Sequence, residues 1–444
     1  MTEKSFFKKK QKSSFKEIFG WCMFDFANSA YTTIIITAIY NVYFVSVVVS
    51  ESIYGKGYGE FLWGSITIPI SYLAVILIGP VIGALADFSG SKKKFLFGSY
   101  IMCIIFTALL FFVKKGDVTP AIILIILSNI GFAAGENFAS AFLPELAYTK
   151  DMGKVSGYAW SFGYWGGLIS LAICLAVIMG MKDTIDKTLP VRLATLITAG
   201  FFAISAIPAF LWLKERKSRE EMPGGYNYFT IGFKRLYDTF QNIKKFKELM
   251  KFLVTFLIYN CGVTVIITFA AIYAVKTLRF SMQESIILII VVNITASIGA
   301  FLFGLIQDKI GSKNTILITL TLWVVTVIWA YFSETKLTFW MLANVAGIAL
   351  GSSQSASRAL VGLFSPESKA GEFFGFWGFA GKIGAILGPM TFGALTLATG
   401  GNQRIAIIAT SVFFILGIIG ILFCREKEGI EAAGAYEAEY ADKL

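Results

Sequence analysis

Residues 83–92 read GALADFSGSK and residues 304–313 read GLIQDKIGSK. Gly83, Asp87, Gly90, Ser91 and Lys92 therefore recur as Gly304, Asp308, Gly311, Ser312 and Lys313, 221 residues later in a chain of 444. A single run of this kind is a weak signal, because Gly and Asp are common in any tight turn. Two copies half a chain apart, each after an apolar stretch, mark a duplicated unit. A fainter echo places Asp25, Ser29 and Thr33 on one helix face, and Asn260, Thr264 and Thr268 on another, both at i, i+4, i+8.

Outward from the repeat, the chain is 56% hydrophobic and 15% charged, with a mean hydropathy of +0.70. Soluble domains carry nearer a quarter charged residues, so a cytosolic enzyme, a disordered chain and a soluble nucleic-acid binder are excluded. A helix crosses the hydrocarbon core in about 20 residues. Twelve such stretches are predicted at 25–49, 61–85, 95–113, 120–142, 156–180, 191–213, 251–275, 283–305, 314–332, 338–362, 371–398 and 402–423. The expectation is an all-α membrane protein of two six-helix repeats. Its parts are a basic segment 1–24, a bundle 25–213, a linker 214–250, a second bundle 251–423 and a tail 424–444.

The net charge of +11 reads as topology rather than as polyanion binding. With the N-terminus inside, cytoplasmic segments hold 27 Lys and Arg against ten on the opposite side. The positive-inside rule then puts both termini in the cytoplasm. From 226 to 250, Phe229, Phe233, Leu236, Phe240, Ile243 and Met250 fall at helical spacing among lysines and an arginine. That pattern fits an amphipathic helix along the inner leaflet; a basic linker is the alternative. Five scattered cysteines build no disulfide or metal framework. With no histidine in the chain, proton coupling would fall to carboxylates.

Three blocks carry a specific resemblance. They are Phe24–Tyr31 (FDFANSAY), Gln354, Ala356, Ser357 and Arg358 followed by Pro366, and the stretch 371–393 (GEFFGFWGFAGKIGAILGPMTFG). Together they resemble the "unknown major facilitator" family, which includes the fungal vacuolar amino-acid effluxers of autophagy. Parallel repeats about the membrane normal are also the major facilitator architecture, with substrate held between the halves near the midplane. The resemblance implies a secondary solute carrier, with amino-acid export the best-known activity of relatives. It also implies that helices 1, 4, 7 and 10 line the central cavity. Two positions depart from the family pattern: helix 7 reads Tyr259, Asn260, Cys261, Gly262 where an acidic residue is usual at the third place, and Ser140 precedes Pro144 where Asn is usual.

Asp25, Glu136, Arg358 and Lys382 read as charges inside the spans, with Glu372 at a span end. Each costs about 2.5 to 3.5 kcal/mol at a helix centre, so they must face a cavity or one another. One reading is a neutral salt-bridge set holding the halves together. The other is a site for a zwitterionic solute: Arg358 and Gln354 for a carboxylate, Glu136 and Asp25 as acceptors, with Asn28, Asn260 and Lys382 beside them. Asp87 and Asp308 read as gate elements in the paired loops. The function expected is alternating-access transport of a small polar or zwitterionic, amino-acid or peptide-like solute, protons being the candidate coupling ion. No cofactor, metal or nucleic acid is expected, and the protein is read as a monomer in a bacterial inner membrane. The alternative of a different class is a receptor or lipid-handling protein that keeps this fold without flux. No catalytic nucleophile motif stands out.

Overall fold

The computed structural model describes residues 13–50, 58–181, 184–216, 230–234, 237, 243–400 and 402–442. Twelve long helical rods run through them: α1 (Phe15–Val48), α2 (Leu62–Ser89), α3 (Lys92–Phe112), α4 (Val118–Ser140), α5 (Met152–Gly180), α6 (Leu189–Trp212), α7 (Lys247–Leu278), α8 (Met282–Ile310), α9 (Ser312–Phe332), α10 (Lys336–Phe364), α11 (Ala370–Ala398) and α12 (Gln403–Phe423). Ten of the helices in the described residues are long and apolar enough to cross a membrane on those grounds alone. The other two rods, α10 and α11, carry the polar run 352–358 and Lys382.

The repeat motif acquires a backbone reason. Gly90 and Gly311 both sit at positive φ, 58° and 88°, a region that disfavours side chains. These glycines turn the chain between α2 and α3 and between α8 and α9. Other boundaries are set by caps: Ser14 and Glu17 form a reciprocal capping box at α1, and Ser281 and Glu284 form one at α8.

Capping moves several boundaries relative to the apolar reading. α1 begins at Phe15, ten residues before the expected span. Asp25 therefore lies almost three turns inside the helix rather than at its edge. The polar first turn is tolerated because Glu17 pairs with Arg216 at 2.8 Å. Three π-helical segments, Thr32–Ala38, Phe44–Val48 and Leu62–Thr67, also interrupt α1 and α2, which periodicity alone does not show. Of the linker, Thr230–Lys234 includes a helical stretch, and the turn Ile243–Phe246 runs into α7; Phe229, Leu236 and Phe240 lie outside the described residues. Residues Glu426–Ala441 form a thirteenth helix, α13, which packs on α7 and α10.

The two bundles meet along α5 with α8 and along α2 with α11. Small residues permit the approach: Gly83 lies against the Gly371 carbonyl, and Gly157 against Gly304 and the Ala300 carbonyl. The glycine patterns thus divide by role. Gly163, Gly166 and Gly167 pack α5 onto α1, and Gly347 and Gly351 pack α10 onto α8, each within one bundle. Gly371, Gly375 and Gly378 instead face α2 and α4 of the other bundle.

Candidate functional site

Asp25, Glu136, Arg358 and Lys382 form two ion pairs, and both pairs join opposite bundles. Arg358 on α10 reaches Asp25 on α1 at 2.5 Å, and Lys382 on α11 reaches Glu136 on α4 at 3.4 Å. Gly135 packs on the Phe24 ring, which brings Glu136 to the level of Asp25. The site is therefore one neutral layer of two acids and two bases at the seam between the halves.

The pairs differ in how firmly they are held. Arg358 also donates through Nε to the Ser156 hydroxyl at 3.2 Å and through a terminal nitrogen to the Ser156 carbonyl at 2.9 Å. Its guanidinium stacks between two indoles, 4.9 Å from the Trp21 ring centroid and 5.2 Å from that of Trp160. A planar cation with five donors suits such a seat. Among the described residues Lys382 makes one side-chain hydrogen bond, to Glu136, and its ammonium stands 5.2 Å from the Tyr72 ring centroid and 5.9 Å from that of Phe132.

The remaining expected site residues are distributed around this layer. Asn28, one turn beyond Asp25, is buried with its amide oxygen unpartnered among the described residues, as is the indole nitrogen of Trp160. Gln354 is half-buried one turn before Arg358. Asn260 does not join the charged layer: its amide donates to the Gly381 carbonyl at 3.1 Å and pins α7 to α11. Residues that the sequence reading did not single out are Trp21, Tyr72, Phe132 and Ser156. Only proximity to the charges distinguishes these aromatic and hydroxyl side chains from ordinary packing, and proximity is not written in one sequence.

The paired loops carry a second, symmetric arrangement. The Asp308 carboxylate accepts from the backbone N–H of Gly153 at 2.8 Å and of Lys154 at 2.9 Å, which caps the start of α5 from the other bundle. Asp87 accepts from the backbone N–H of Glu372 at 2.9 Å and so caps α11 in the reverse direction. An anion at a helix N-terminus satisfies orphan donors and the helix dipole together. Lys92 stands 3.4 Å from Asp87 and 2.6 Å from Glu145, all three buried. Further out, Glu426 accepts from Ser312 and Lys313 at the start of α9, and Glu215 accepts from Lys93 at the start of α3. Glu215 lies beyond the end of α6, and burial raises its carboxyl pKa above the ordinary value.

A two-bundle, twelve-helix membrane fold of this kind is that of the major facilitator transporters. The solved structures agree on the fold. The xylose–proton symporter XylE superposes with a TM-score of 0.71 at 14% identity, covering 95% of this chain and 98% of its own. The human organic anion transporter MFSD10 gives 0.71 at 12%, covering 91% and 99%. In sequence, residues 65–434 match the family described as "Vacuole effluxer Atg22 like", and the chain belongs to that family. The uncharacterized MFS-type transporter YxiO of Bacillus subtilis is 28% identical over 418 residues, 93% of this chain and 96% of that protein. Autophagy-related protein 22 of Yarrowia lipolytica is 26% identical over 359 residues, 74% of this chain and 59% of that longer protein.

Proposed function

We propose that this membrane transporter carries a small zwitterionic organic solute, amino-acid or peptide-like, by alternating access. The observation that carries the reading is the neutral layer of two acids and two bases shared between the halves. A zwitterion can exchange with these pairs without leaving net charge buried, whereas an unpaired buried ion is costly. Arg358 takes the solute carboxylate through parallel hydrogen bonds once Asp25 releases it. Glu136 takes the ammonium, and Gln354 and Asn28 supply amide contacts at the rim. Asp87 and Asp308 hold the two bundles together at the cytoplasmic ends of α11 and α5 and act as the gate. A carboxylate of the layer is the proton carrier where transport is coupled. The family match supports efflux and the bacterial relative supports a bacterial inner membrane as its setting; we take the carrier to act as a monomer.

The alternative is a static salt-bridge lock, in which the Arg358 guanidinium stays on Asp25 and Ser156 throughout. A thermal-shift panel on the detergent-purified protein tests the reading. Neutral zwitterionic amino acids are expected to stabilise the protein, and matched organic anions and cations to do so far less. Arg358→Lys should abolish that stabilisation while leaving the fold intact. Equal response to all charge types, or none to any, would defeat the zwitterion assignment.

A further inference from the structure

The looser of the two pairs has the form of a recognition site that is already occupied. An ammonium group carries three donors, and among the described residues Lys382 uses one of them, on Glu136. Its Nζ lies over two ring faces, those of Tyr72 on α2 and Phe132 on α4. One carboxylate and two aromatic faces are the elements by which proteins select ammonium ions. Phe132 and Glu136 are one turn apart on α4, and Tyr31 stacks on the Phe132 ring with centroids 5.2 Å apart. The receiving groups thus belong entirely to the first bundle, and the cation belongs to the second.

Retention is weak by comparison with the neighbouring pair. The Lys382 and Glu136 side chains are 16% and 26% exposed, against 3% for Arg358, and they stand 3.4 Å apart rather than 2.5 Å. A lysine on a flexible stem can withdraw from such a seat, while Arg358 is wedged between two indoles. Rocking of the bundles would also draw Lys382 away with α11, leaving Glu136, Tyr72 and Phe132 together on their own half.

We propose that Glu136, Tyr72 and Phe132 form the seat for the ammonium group of the transported solute, and that Lys382 is a tethered cation filling that seat in the solute-free protein. The identity of the natural occupant rests on the zwitterion reading above; the cation-binding character of the seat does not. Solute entry then replaces one ammonium by another, with Glu136 never left unpaired. The same seat accepts methylated ammonium groups, because ring faces need no N–H donor.

Chemical rescue tests this without any transport assay. Lys382→Ala empties the seat, and its melting temperature is followed while methylammonium or tetramethylammonium chloride is titrated against sodium chloride at equal ionic strength. A saturable rise specific to the ammonium ions is expected in Lys382→Ala and not in the native protein, since only a seat free of its tether gains occupancy. Adding Tyr72→Leu should weaken apparent affinity about tenfold, and Tyr72→Phe should restore it. If Lys382→Ala does not fold alone, the folded yield from membranes extracted with methylammonium, compared with sodium, is read instead. No ammonium-specific rescue by either readout, equal rescue of the native protein, or indifference to Tyr72→Leu overturns the proposal. Rescue in a protein that ignores all amino acids would retain the seat and discard the zwitterion reading.

Discussion

Asp308→Asn isolates one cap between the bundles. The native carboxylate accepts two backbone N–H groups of α5, from Gly153 and Lys154. An asparagine keeps one acceptor oxygen and turns its NH2 toward the other donor. The substitution therefore removes one charge-assisted hydrogen bond, worth about 1.5 to 3 kcal/mol, and a helix-dipole contribution of about 0.3 to 1 kcal/mol. Asp308 is only half-buried, so solvent screening places the effect at the lower end, about 2 kcal/mol. That is a shift of roughly thirtyfold between closed and open seams. Starting from an open population near 1%, within the usual range for a minor state, the open form would rise to roughly a quarter. Spin labels at Lys150 and Lys309, both exposed on facing elements, report the distance across the seam in reconstituted protein. A new longer-distance population is expected in Asp308→Asn, with transport slowed and solute affinity little changed. An unchanged distance distribution accompanied by lost solute affinity would refute the gate reasoning.

Other outcomes follow from the same geometry. Cysteines placed singly at Lys115 and Asn402, in a background without the native five, should label from outside intact cells, whereas those at Lys93, Lys150 and Lys313 should not; labelling at Lys93 would invert the topology. Gly83→Val drives a branched side chain into the Gly371 carbonyl and should cost about 1 to 3 kcal/mol, read as a lower melting temperature. Gly98→Ala, with open space around it, should stay within about 0.5 kcal/mol of the native protein. Removing residues 426–444 strips the Glu426 cap from α9 and the Glu437 contact to Ser368, whose backbone N–H and hydroxyl it accepts at 3.0 and 2.8 Å. A fall in melting temperature with solute binding retained is expected; loss of binding would place α13 in the site.

The fold was legible because membrane helices are written in long apolar runs and the duplication is written in the repeated GxxxDxxGSK. The candidate charges were legible for a related reason: ionised groups are rare in hydrocarbon, so Asp25, Glu136, Arg358 and Lys382 stand out by position alone. Their pairing was not. Hydropathy orders residues along the chain and says nothing of which helix faces meet, so Asp25 could as well have answered Lys382. Helix ends were misplaced for a local reason. Ser14, Glu17 and the cross-bundle Asp caps extend helices through polar residues that a hydropathy window reads as loop. Asn260 shows the converse, a polar residue on the expected cavity face whose amide hydrogen-bonds between α7 and α11.

Counterflow in sealed proteoliposomes tests the central claim most directly. Vesicles loaded with a neutral zwitterionic amino acid are diluted into buffer containing a trace of the labelled compound, alongside matched anionic and cationic analogues. Transient accumulation of the zwitterion in the native protein is expected, with Glu136→Gln, which removes the carboxylate facing the ammonium, weakening it and Arg358→Lys abolishing it. Equal counterflow of all three charge types, or full activity in Arg358→Lys, would contradict it.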